Sequence, residues 1–216
     1  GDRIAVGVSA GKDSLTLLCA LAELRRFYPK KFELSAITID MGFEGSDFSS
    51  IAKLCEELNV PYHIIPTQIS TVIFDVRKEK NPCSLCAKMR RGALYGAARE
   101  LGFNKVALGH HFDDVIETTL MNMLNAGSYQ TMMPKLHSDN FNGMELIRPL
   151  YYVREKDIVA WKNYNGLSFL QCACKFTEMI DENEIYASKR KETKELIHML
   201  EKKNPGIAMN IFKSAY

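Results

Sequence analysis

Small, hydroxyl-bearing and charged residues are concentrated near the start of the chain, in a segment that reads Ser9, Ala10, Gly11, Lys12, Asp13 and Ser14. The apolar run at residues 3–8 predicts a buried strand before this segment, and residues 15–26 predict a helix after it. A tight loop at a helix N-terminus offers backbone N–H groups and the positive end of the helix dipole to an anion. Lys12 adds a charge and the two serines add hydroxyls suited to a pyrophosphate, although the spacing is not that of the Walker loop. We therefore favour a nucleotide loop of another type over an ordinary glycine turn.

A second polar segment reads Gly109, His110, His111, Phe112, Asp113 and Asp114. Residues 105–108 before it predict a strand, and the residues up to about 125 predict a helix, so this segment also lies on a strand-to-helix turn. Carboxylates in such a turn can hold the Mg²⁺ that accompanies ATP or act as a base, and a histidine can polarise a phosphoryl oxygen. The alternative is that Asp113 caps the helix and that the histidines are surface residues. We favour a functional role, because a cap at Asp113 leaves Asp114 unexplained.

The cysteines form a third pattern, with Cys83-x-x-Cys86 at the start of a predicted helix over residues 84–101 and Cys172-x-Cys174 near the C-terminus. Thiolates at a helix start are stabilised by the dipole, which suits metal ligation or nucleophilic sulfur. Four cysteines can make a closed tetrahedral zinc site, whereas three can hold a 4Fe-4S cluster with one iron left open. The spacing alone slightly favours zinc.

The other two cysteines and a pair of arginines complete the set of candidate residues. Cys19 and Cys55 lie in predicted helices, and we expect them to be buried as small hydrophobic side chains. Arg90 and Arg91 follow Cys86 by one to one and a half helical turns. These arginines are placed to reach a phosphate, although solvation is the commoner fate of arginines on a helix.

Strands and helices alternate with short connections over most of the chain, which predicts an α/β fold with right-handed crossovers and a parallel sheet. Ligands of such sheets bind beyond the carboxyl ends of the strands, where Asp40 ends the second predicted strand. Asp40 is thus a candidate for ribose or adenine binding, with a plain loop aspartate as the alternative. Residues 127–143 are rich in turn-forming residues and predict a long surface loop. We divide the chain into an α/β domain, residues 1–165, and a helical extension, residues 166–216.

Length and charge set limits on the function. A chain of 216 residues suffices for one α/β domain with a small appendage. No apolar run reaches the length of a membrane span and no signal peptide is visible, so we expect a cytoplasmic protein that makes no membrane contact. The net charge of +2 indicates no particular partner. Local clusters of basic residues at 77–91 and 189–203 are interpreted as solvated faces that weakly favour a polyanionic partner.

Five segments together resemble the tRNA 2-thiocytidine synthetase family of pyrophosphate-loop (PP-loop) ATP pyrophosphatases. In chain order they are residues 9–14, 82–92, 109–114, 133–135 and 147–150, so the resemblance covers residues 1–160. It implies a Rossmann-like HUP fold and an enzyme in which ATP adenylates the C2 oxygen of an anticodon-loop cytidine before sulfur displaces AMP. Ala10 stands where the family usually has glycine, and we expect a negative φ there, at which alanine costs little.

The resemblance also implies the site residues and the partners. Cys83, Cys86 and Cys174 would hold a 4Fe-4S cluster that carries sulfide, with Cys172 as the alternative third ligand. The family's usual second pair is Cys-x-x-Cys, whereas this chain has Cys172-x-Cys174. Asp114 would match the catalytic aspartate of related thiolases, and Arg90 would stand where some relatives have a lysine. The resemblance thus implies Asp114, Arg90, Cys83 and Cys86 as the catalytic set, with the two cysteines acting through the cluster. The implied contacts to ATP and Mg²⁺ are Ser9, Ala10, Gly11, Lys12, Asp13, Ser14, Asp40, Gly109, His110 and Asp113. The implied partners are tRNA, sulfide or a cysteine desulfurase as sulfur donor, and a second copy of the chain in a homodimer.

Two alternatives remain open at this stage. The first is a tRNA sulfurtransferase that uses a cysteine persulfide or acts on another base. The second is a module that binds a nucleotide and an iron–sulfur cluster or zinc without modifying tRNA.

Overall fold

The computed structural model describes residues 1–77, 82–167 and 185–215. The first elements are β1 (Asp2–Gly7), α1 (Lys12–Phe27), β2 (Phe32–Asp40), α2 (Ser49–Glu57), β3 (Tyr62–Pro66) and the short helix α3 (Ile69–Thr71), which continues into a π-helical turn (Val72–Val76). The later elements are α4 (Pro82–Glu100), β4 (Lys105–Ala107), α5 (Phe112–Ala126), β5 (Lys135–His137), β6 (Glu145–Ile147), α6 (Glu155–Tyr164), α7 (Ile185–Lys203) and α8 (Ile207–Ser214).

The strands form one six-stranded sheet in the order β3-β2-β1-β4-β6-β5. All neighbouring strands are parallel except β5, which runs antiparallel to β6, so the predicted α/β fold is confirmed with one antiparallel edge strand added. β5 lies within residues 127–143 and corrects the expectation that this segment is only a loop. Its three residues are all exposed, and therefore no alternation of buried and exposed side chains marks the strand in the sequence.

β1 lies near the middle of the sheet, and both of its faces are buried. Val6 pairs with Ala36 on β2 and with Ala107 on β4, and all three side chains are fully buried. One face of the sheet packs against α1, α2 and α6, and the other face packs against α4. Because β1 and β4 are parallel neighbours, the turns that follow them lie side by side.

The C-terminal helices pack against α5 rather than against the sheet. Ile197 of α7 and Phe212 of α8 join a buried cluster with Phe112 and Ile116 of α5, and the Phe112 and Phe212 rings stack with their centroids 4.4 Å apart. The sequence analysis predicted a helical extension over residues 166–216, and the described part of it contains the two helices α7 and α8. This packing carries the charged face of α7 to the edge of the β4–α5 turn. The division of the chain at residue 165 stays a prediction.

No helix within the described ranges combines the length and the apolar character that a membrane crossing requires.

Candidate active site

The β1–α1 loop leaves the first N–H groups of α1 without a side-chain cap. The N-cap residue is Gly11, and no side chain caps this end. The Ser14 hydroxyl holds the loop from inside, because it accepts the Ser9 N–H at 3.1 Å and donates to the Gly11 carbonyl at 3.0 Å. The result is a closed loop with an open helix N-terminus, which is the arrangement that favours an anion.

Ala10 adopts a left-handed conformation with φ 61°, and the expectation of a negative φ was therefore wrong. The side chain is buried, so the residue is fixed in place by its surroundings. An alanine in this region is strained by about 1 kcal/mol relative to glycine. The loop consequently keeps the shape of a glycine loop without the glycine.

Lys12 does not project freely from the loop. Its Nζ lies 3.0 Å from Asp13 Oδ1 and 2.9 Å from Glu155 Oε1 on α6. Burial lowers the pKa of Lys12, but the hydrogen bonds with Glu155 and Asp13 raise it more, and the net shift is upward. Burial likewise raises the pKa of Glu155, and the contacts with Lys194 and Lys12 bring it down to about 2. Lys12 is thus a cation at neutral pH, held beside the loop by an ionised carboxylate.

The β4–α5 turn has the opposite character, because side chains satisfy its helix N-terminus. His111 is the N-cap, its Nδ1 accepts the Asp114 N–H, and an Asp114 carboxylate oxygen accepts the His111 N–H at 3.0 Å. This capping box corrects the idea that Asp113 caps the helix. Asp113 instead accepts the Glu155 N–H at 2.6 Å and pairs with Arg154 at 3.0 Å.

The two turns are in direct contact. A Cβ atom added at Gly109 would lie 2.8 Å from the carbonyl carbon and oxygen of Asp13, so only glycine allows this approach. The buried His111 lies between them, with Nε2 3.7 Å from Asp13 Oδ1 and 3.4 Å from Asp114 Oδ2. The loop and the turn therefore form one rigid wall.

A cavity of about 370 Å³ opens along this wall, which is within the size range of small-molecule sites. It is lined by strand ends (Gly7, Val8, Ile37, Ile39), the loop (Ser9, Gly11, Asp13, Ser14), α4 (Ala87, Arg90, Arg91, Leu94), the second turn (Leu108, Gly109, His110, Asp114) and Arg190 of α7. Apolar side chains thus form the floor, and three arginines, two carboxylates and the anion-binding loop form the walls.

Four residues predicted to bind the nucleotide do not line this cavity. Ala10 packs into the hydrophobic core and Lys12 pairs with Glu155. Asp113 pairs with Arg154. Asp40 Oδ1 accepts the Gly42 N–H at 2.9 Å, which shapes the loop after β2. The structure thus brings Ser9, Gly11, Asp13 and Ser14 together with Arg90, Gly109, His110 and Asp114.

His110 carries an unsatisfied polar atom at the cavity wall. Its Nδ1 is buried and has no hydrogen-bond partner among the described residues. Burial lowers the pKa of His110 to about 4; Asp114 opposes this shift, and Arg148, Arg190 and Arg91 add to it. The imidazole is therefore neutral at pH 7.

The Cys83-x-x-Cys86 pair lies at the start of α4, as predicted. Cys86 is partly buried, precedes the cavity residue Ala87, and has its Sγ 3.5 Å from Met41 Sδ. The Cys83 side chain, Cys172 and Cys174 lie outside the described residues. Within residues 1–77, 82–167 and 185–215, no three His, Cys, Asp or Glu side chains are grouped so as to hold a metal ion.

The remaining cysteines have a purely structural role. Cys19 and Cys55 are buried, and this prediction is confirmed. Burial raises the pKa of each thiol to about 11, which keeps both protonated at neutral pH.

Sequence reasoning missed functional residues on α7. Residues 189–203 were interpreted as a solvated face, but three of them make ion pairs at the site. Arg190 contacts Asp114 at 2.6 Å, Lys194 contacts Glu155 at 2.5 Å, and Glu201 contacts Arg154 at 3.1 Å. Their spacing along one face of a helix was the available signal, since Ile197 on the same face is buried.

Buried Arg148 was quoted only as part of the motif at residues 147–150. Its side chain donates to the Met133 carbonyl, and its backbone N–H donates to the Pro134 carbonyl at 2.9 Å. The motifs at residues 133–135 and 147–150 therefore meet across the β5–β6 pair, where they hold the sheet edge behind His110.

Known proteins resemble this chain over its full length. The PP-loop domain family matches residues 1–185. The chain is 42% identical over 215 residues to the tRNA-cytidine(32) 2-sulfurtransferase of Pelobacter propionicus, covering 99% of this chain and 77% of that protein. It is 40% identical over 215 residues to the protein of the same name from Geobacter sulfurreducens, covering 99% and 81%.

A solved structure has the same fold. The U34-tRNA thiolase NcsA from Methanococcus maripaludis, determined with its 4Fe-4S cluster, superposes with a TM-score of 0.79 at 25% identity and covers 100% of this chain and 70% of that one. With the loop, the turn and the helix-borne cysteine pair arranged as described, these matches show that the chain belongs to the tRNA-cytidine(32) 2-sulfurtransferase family of PP-loop proteins.

Proposed function

We propose that this protein is an ATP-dependent tRNA sulfurtransferase that replaces the C2 oxygen of an anticodon-loop cytidine, at position 32 as in its relatives' name, with sulfur. The observation that carries the proposal is the shared cavity. One cavity of nucleotide size is lined by an uncapped helix N-terminus, two carboxylates and three arginines. The cysteine pair lies at the start of α4, the helix that also carries two of these arginines.

Each part of the wall has a proposed task in binding ATP. The open N-terminus of α1 and the Ser9 hydroxyl bind the pyrophosphate portion, because they present N–H and O–H donors at the positive end of the dipole. Lys12 adds positive charge from behind the loop. The Asp13 carboxylate, at the cavity wall, is the proposed contact for the Mg²⁺ that accompanies ATP.

The proposed reaction begins when the C2 oxygen attacks the α-phosphorus and the bond to the bridging oxygen breaks, so that its electron pair leaves with pyrophosphate. Sulfide then adds at C2 and AMP departs with the former C2 oxygen. An anticodon-loop base is single-stranded and can be turned into a pocket. The resemblance gives Asp114 and Arg90 catalytic roles, and both line this cavity.

Among the cysteine side chains that the structure describes, Cys86 is better suited to bind a cluster than Cys19 or Cys55. Cys86 is partly exposed beside the cavity wall, whereas Cys19 and Cys55 are buried with raised pKa values. We propose Cys83, Cys86 and Cys174, or Cys172 in place of Cys174, as the ligands. When bound, a 4Fe-4S cluster with three cysteine ligands supplies an open iron at which sulfide is carried.

The proposed partners are tRNA, a sulfur donor that is either sulfide or a cysteine desulfurase, and a second copy of the chain. The basic residues of α4 and α7 at the cavity support the tRNA assignment, since they provide positive charge next to the proposed nucleotide. The proposed location is the cytoplasm, which is consistent with a tRNA substrate.

The decisive experiment is mass spectrometry of nucleosides from tRNA of cells with and without the gene. We expect 2-thiocytidine to disappear with the gene and to return with the wild-type gene but not with the Ser9→Ala, Ser14→Ala double variant. The Lys191→Ala variant, on the exposed surface of α7, is the matched control and should restore the nucleoside. An unchanged 2-thiocytidine content in the deletion strain would contradict the proposal, and loss of a thiouridine would point to another target base.

A second experiment addresses the cysteine ligands in protein reconstituted with iron and sulfide without oxygen. Cys86→Ala should lose the visible absorbance and most of the bound iron, whereas Cys55→Ala should keep both, because Cys55 is a core residue. Comparison of Cys172→Ala with Cys174→Ala identifies the third ligand. A colourless wild-type protein that retains zinc, or labelled sulfur trapped on a cysteine in the absence of iron, would contradict the cluster.

A further inference from the structure

Arg190 is the one residue that the described part of the C-terminal region contributes to the cavity wall. Two acids of α5 hold its guanidinium: Nη2 lies 2.6 Å from Asp114 Oδ1, and Nε lies 2.8 Å from Glu117 Oε2. The Glu117 side chain is only 7% exposed and does not line the cavity, whereas 46% of the Arg190 side chain is exposed. A buried acid thus anchors an arginine whose tip remains accessible from the cavity.

The two acids fix the position of the Arg190 guanidinium but do not occupy all of its hydrogen-bond donors. Its Nη1 group makes no hydrogen bond within residues 1–77, 82–167 and 185–215. The two contacts to acids on one helix orient the planar group, so little side-chain entropy is left to lose when an anion binds. Such a preorganised cation is the kind of group that stabilises charge in a transition state.

Asp114 is engaged on both of its oxygens. Oδ1 accepts from Arg190, and Oδ2 accepts the His111 N–H at 3.0 Å. The proposed adenylation requires no proton acceptor, because neither the C2 oxygen nor N3 of a neutral cytosine carries a hydrogen. The chemistry and the geometry therefore agree that Asp114 orients a cation rather than removing a proton.

We propose that Arg190 contacts the α-phosphate during adenylation and that Asp114 and Glu117 position it for that task. This inference rests on the proposed function. The pyrophosphate portion of ATP occupies the Ser9–Ser14 loop, and the turn that carries Asp114 touches that loop at Asp13, so the adjacent phosphate lies toward Arg190. As the C2 oxygen bonds to the α-phosphorus, the guanidinium stabilises the charge on the non-bridging oxygens.

The test measures pyrophosphate release from ATP in the presence of target tRNA, with kcat and the KM for ATP determined separately. Arg190→Ala should lower kcat by about 100-fold or more, as removal of one preorganised donor does, and should change the KM for ATP by less than about five-fold. Added guanidinium should restore part of the rate to Arg190→Ala, and Arg190→Lys should retain an intermediate rate. If Arg190 served only to hold α7 in place, added guanidinium would not restore the rate of Arg190→Ala, and Arg190→Lys would not have an intermediate rate.

Three further variants separate anchoring from contact with the phosphate. Glu117→Gln removes the negative charge of the anchor outside the cavity while leaving an acceptor for the Arg190 Nε–H, and it should lower kcat by about ten-fold or less. Lys191→Ala should match the wild type. Asp114→Asn should lower kcat without moving the acid limb of the pH–rate profile, whereas loss of a general base would remove that limb.

The outcomes for the two proposals differ. An Arg190→Ala protein that is folded and within about three-fold of the wild-type rate would overturn the role of Arg190 and leave the proposed function intact. Should Arg190→Ala fail to fold, Arg190→Lys decides, since a wild-type rate for that variant would overturn the role of the guanidinium. A wild-type protein that releases no pyrophosphate with tRNA would overturn the proposed function as well.

Discussion

The β1–α1 loop and the β4–α5 turn lie at equivalent places, at the carboxyl ends of two neighbouring parallel strands, but their helix N-termini differ. The N-cap of α1 is Gly11, which offers no side-chain cap, so the first N–H groups of the helix remain available to a ligand. The N-cap of α5 is His111, which forms a complete capping box, so the N–H groups of His111 and Asp114 are already satisfied. One position provides backbone donors, and the other provides side chains.

This difference divides the work of the site. The open helix end suits phosphate groups, because backbone donors and the dipole act together there. The capped end holds His110 and Asp114 at the cavity wall and connects them through Asp114 to Arg190 of α7. The topology of the sheet fixes where a ligand binds, and the capping of each helix decides which chemical groups meet it.

The contact between the two turns is the feature whose loss should have the largest effect. In Gly109→Ala the new Cβ would lie 2.8 Å from backbone atoms of Asp13 and 2.9 Å from the Ser14 N, and backbone atoms move only with α1. We expect the free energy of unfolding to fall by more than about 3 kcal/mol and ATP binding to be lost. Denaturant unfolding and ATP titration measure the two effects.

Gly96→Ala is the matched control for this variant. It adds the same methyl group on α4, where, apart from the neighbouring helix backbone, no atom of the described residues lies within 4 Å of the new Cβ, and it should raise the stability by up to about 1 kcal/mol. A Gly109→Ala protein as stable as Gly96→Ala would show that the two turns are not in rigid contact.

The neutral His110 of the capped turn predicts a pH dependence of stability. Because burial lowers its pKa to about 4, the unfolded chain binds a proton between about pH 6.5 and pH 4 while the folded protein does not. The free energy of unfolding should therefore fall as the pH falls through this window, with a total loss of about 3 kcal/mol from this group. Above about pH 6.5 the group contributes no pH dependence.

Unfolding measured from pH 7 to pH 4 tests this prediction. His110→Asn should flatten the decline, and His198→Asn, at an exposed position on α7, should leave it unchanged. The loss due to Glu155 lies lower, because its carboxylate is protonated below about pH 4.5 in the unfolded chain but only below about pH 2 in the folded protein. An equal slope in the wild type and His110→Asn would contradict the assignment.

The Ser14 hydroxyl allows the open loop to be disturbed without touching the capped turn. Ser14→Ala leaves the Ser9 N–H and the Gly11 carbonyl without their partner, which should cost about 1–2 kcal/mol of stability. ATP affinity should also fall, because the loop loses its shape. Thr119→Val, which removes a buried hydroxyl from α5, should lower the stability without changing the ATP affinity. Equal ATP affinities for the two variants would mean that the loop does not bind the nucleotide.

The sequence predicted the parts of the site whose signals are local. The loop, the turn and the cysteine pair each lie within one strand–helix junction or one helical turn, and the structure has them at the starts of α1, α5 and α4. Parallel strand order followed from the alternation of elements. These features depend on neighbouring residues, which a sequence displays directly.

The missed features depend on distant residues. Arg190 meets Asp114 across 76 positions of the chain. Its helical spacing to Ile197 places it on the buried face of α7, but that spacing does not indicate which acid it meets. Asp114 was expected to be free for chemistry, because a capping partner at His111 is not visible without the backbone. The expected negative φ of Ala10 was also wrong, since the packing of the loop overrides the local preference of alanine for negative φ.

Ala10 gives the smallest expected effect. Ala10→Gly removes the strain at φ 61° but also removes a buried methyl group and makes the unfolded chain more flexible. These terms nearly cancel, so we expect a net gain in stability below about 1 kcal/mol, with ATP affinity within about two-fold of the wild type. Asn59→Gly, at φ 52° after α2, is a control for relief of strain away from the site. A loss of stability in Ala10→Gly but not in Asn59→Gly would mean that the buried methyl group of Ala10 stabilises the loop by more than the strained φ destabilises it. The β1–α1 loop would then depend on a side chain, as the β4–α5 turn does.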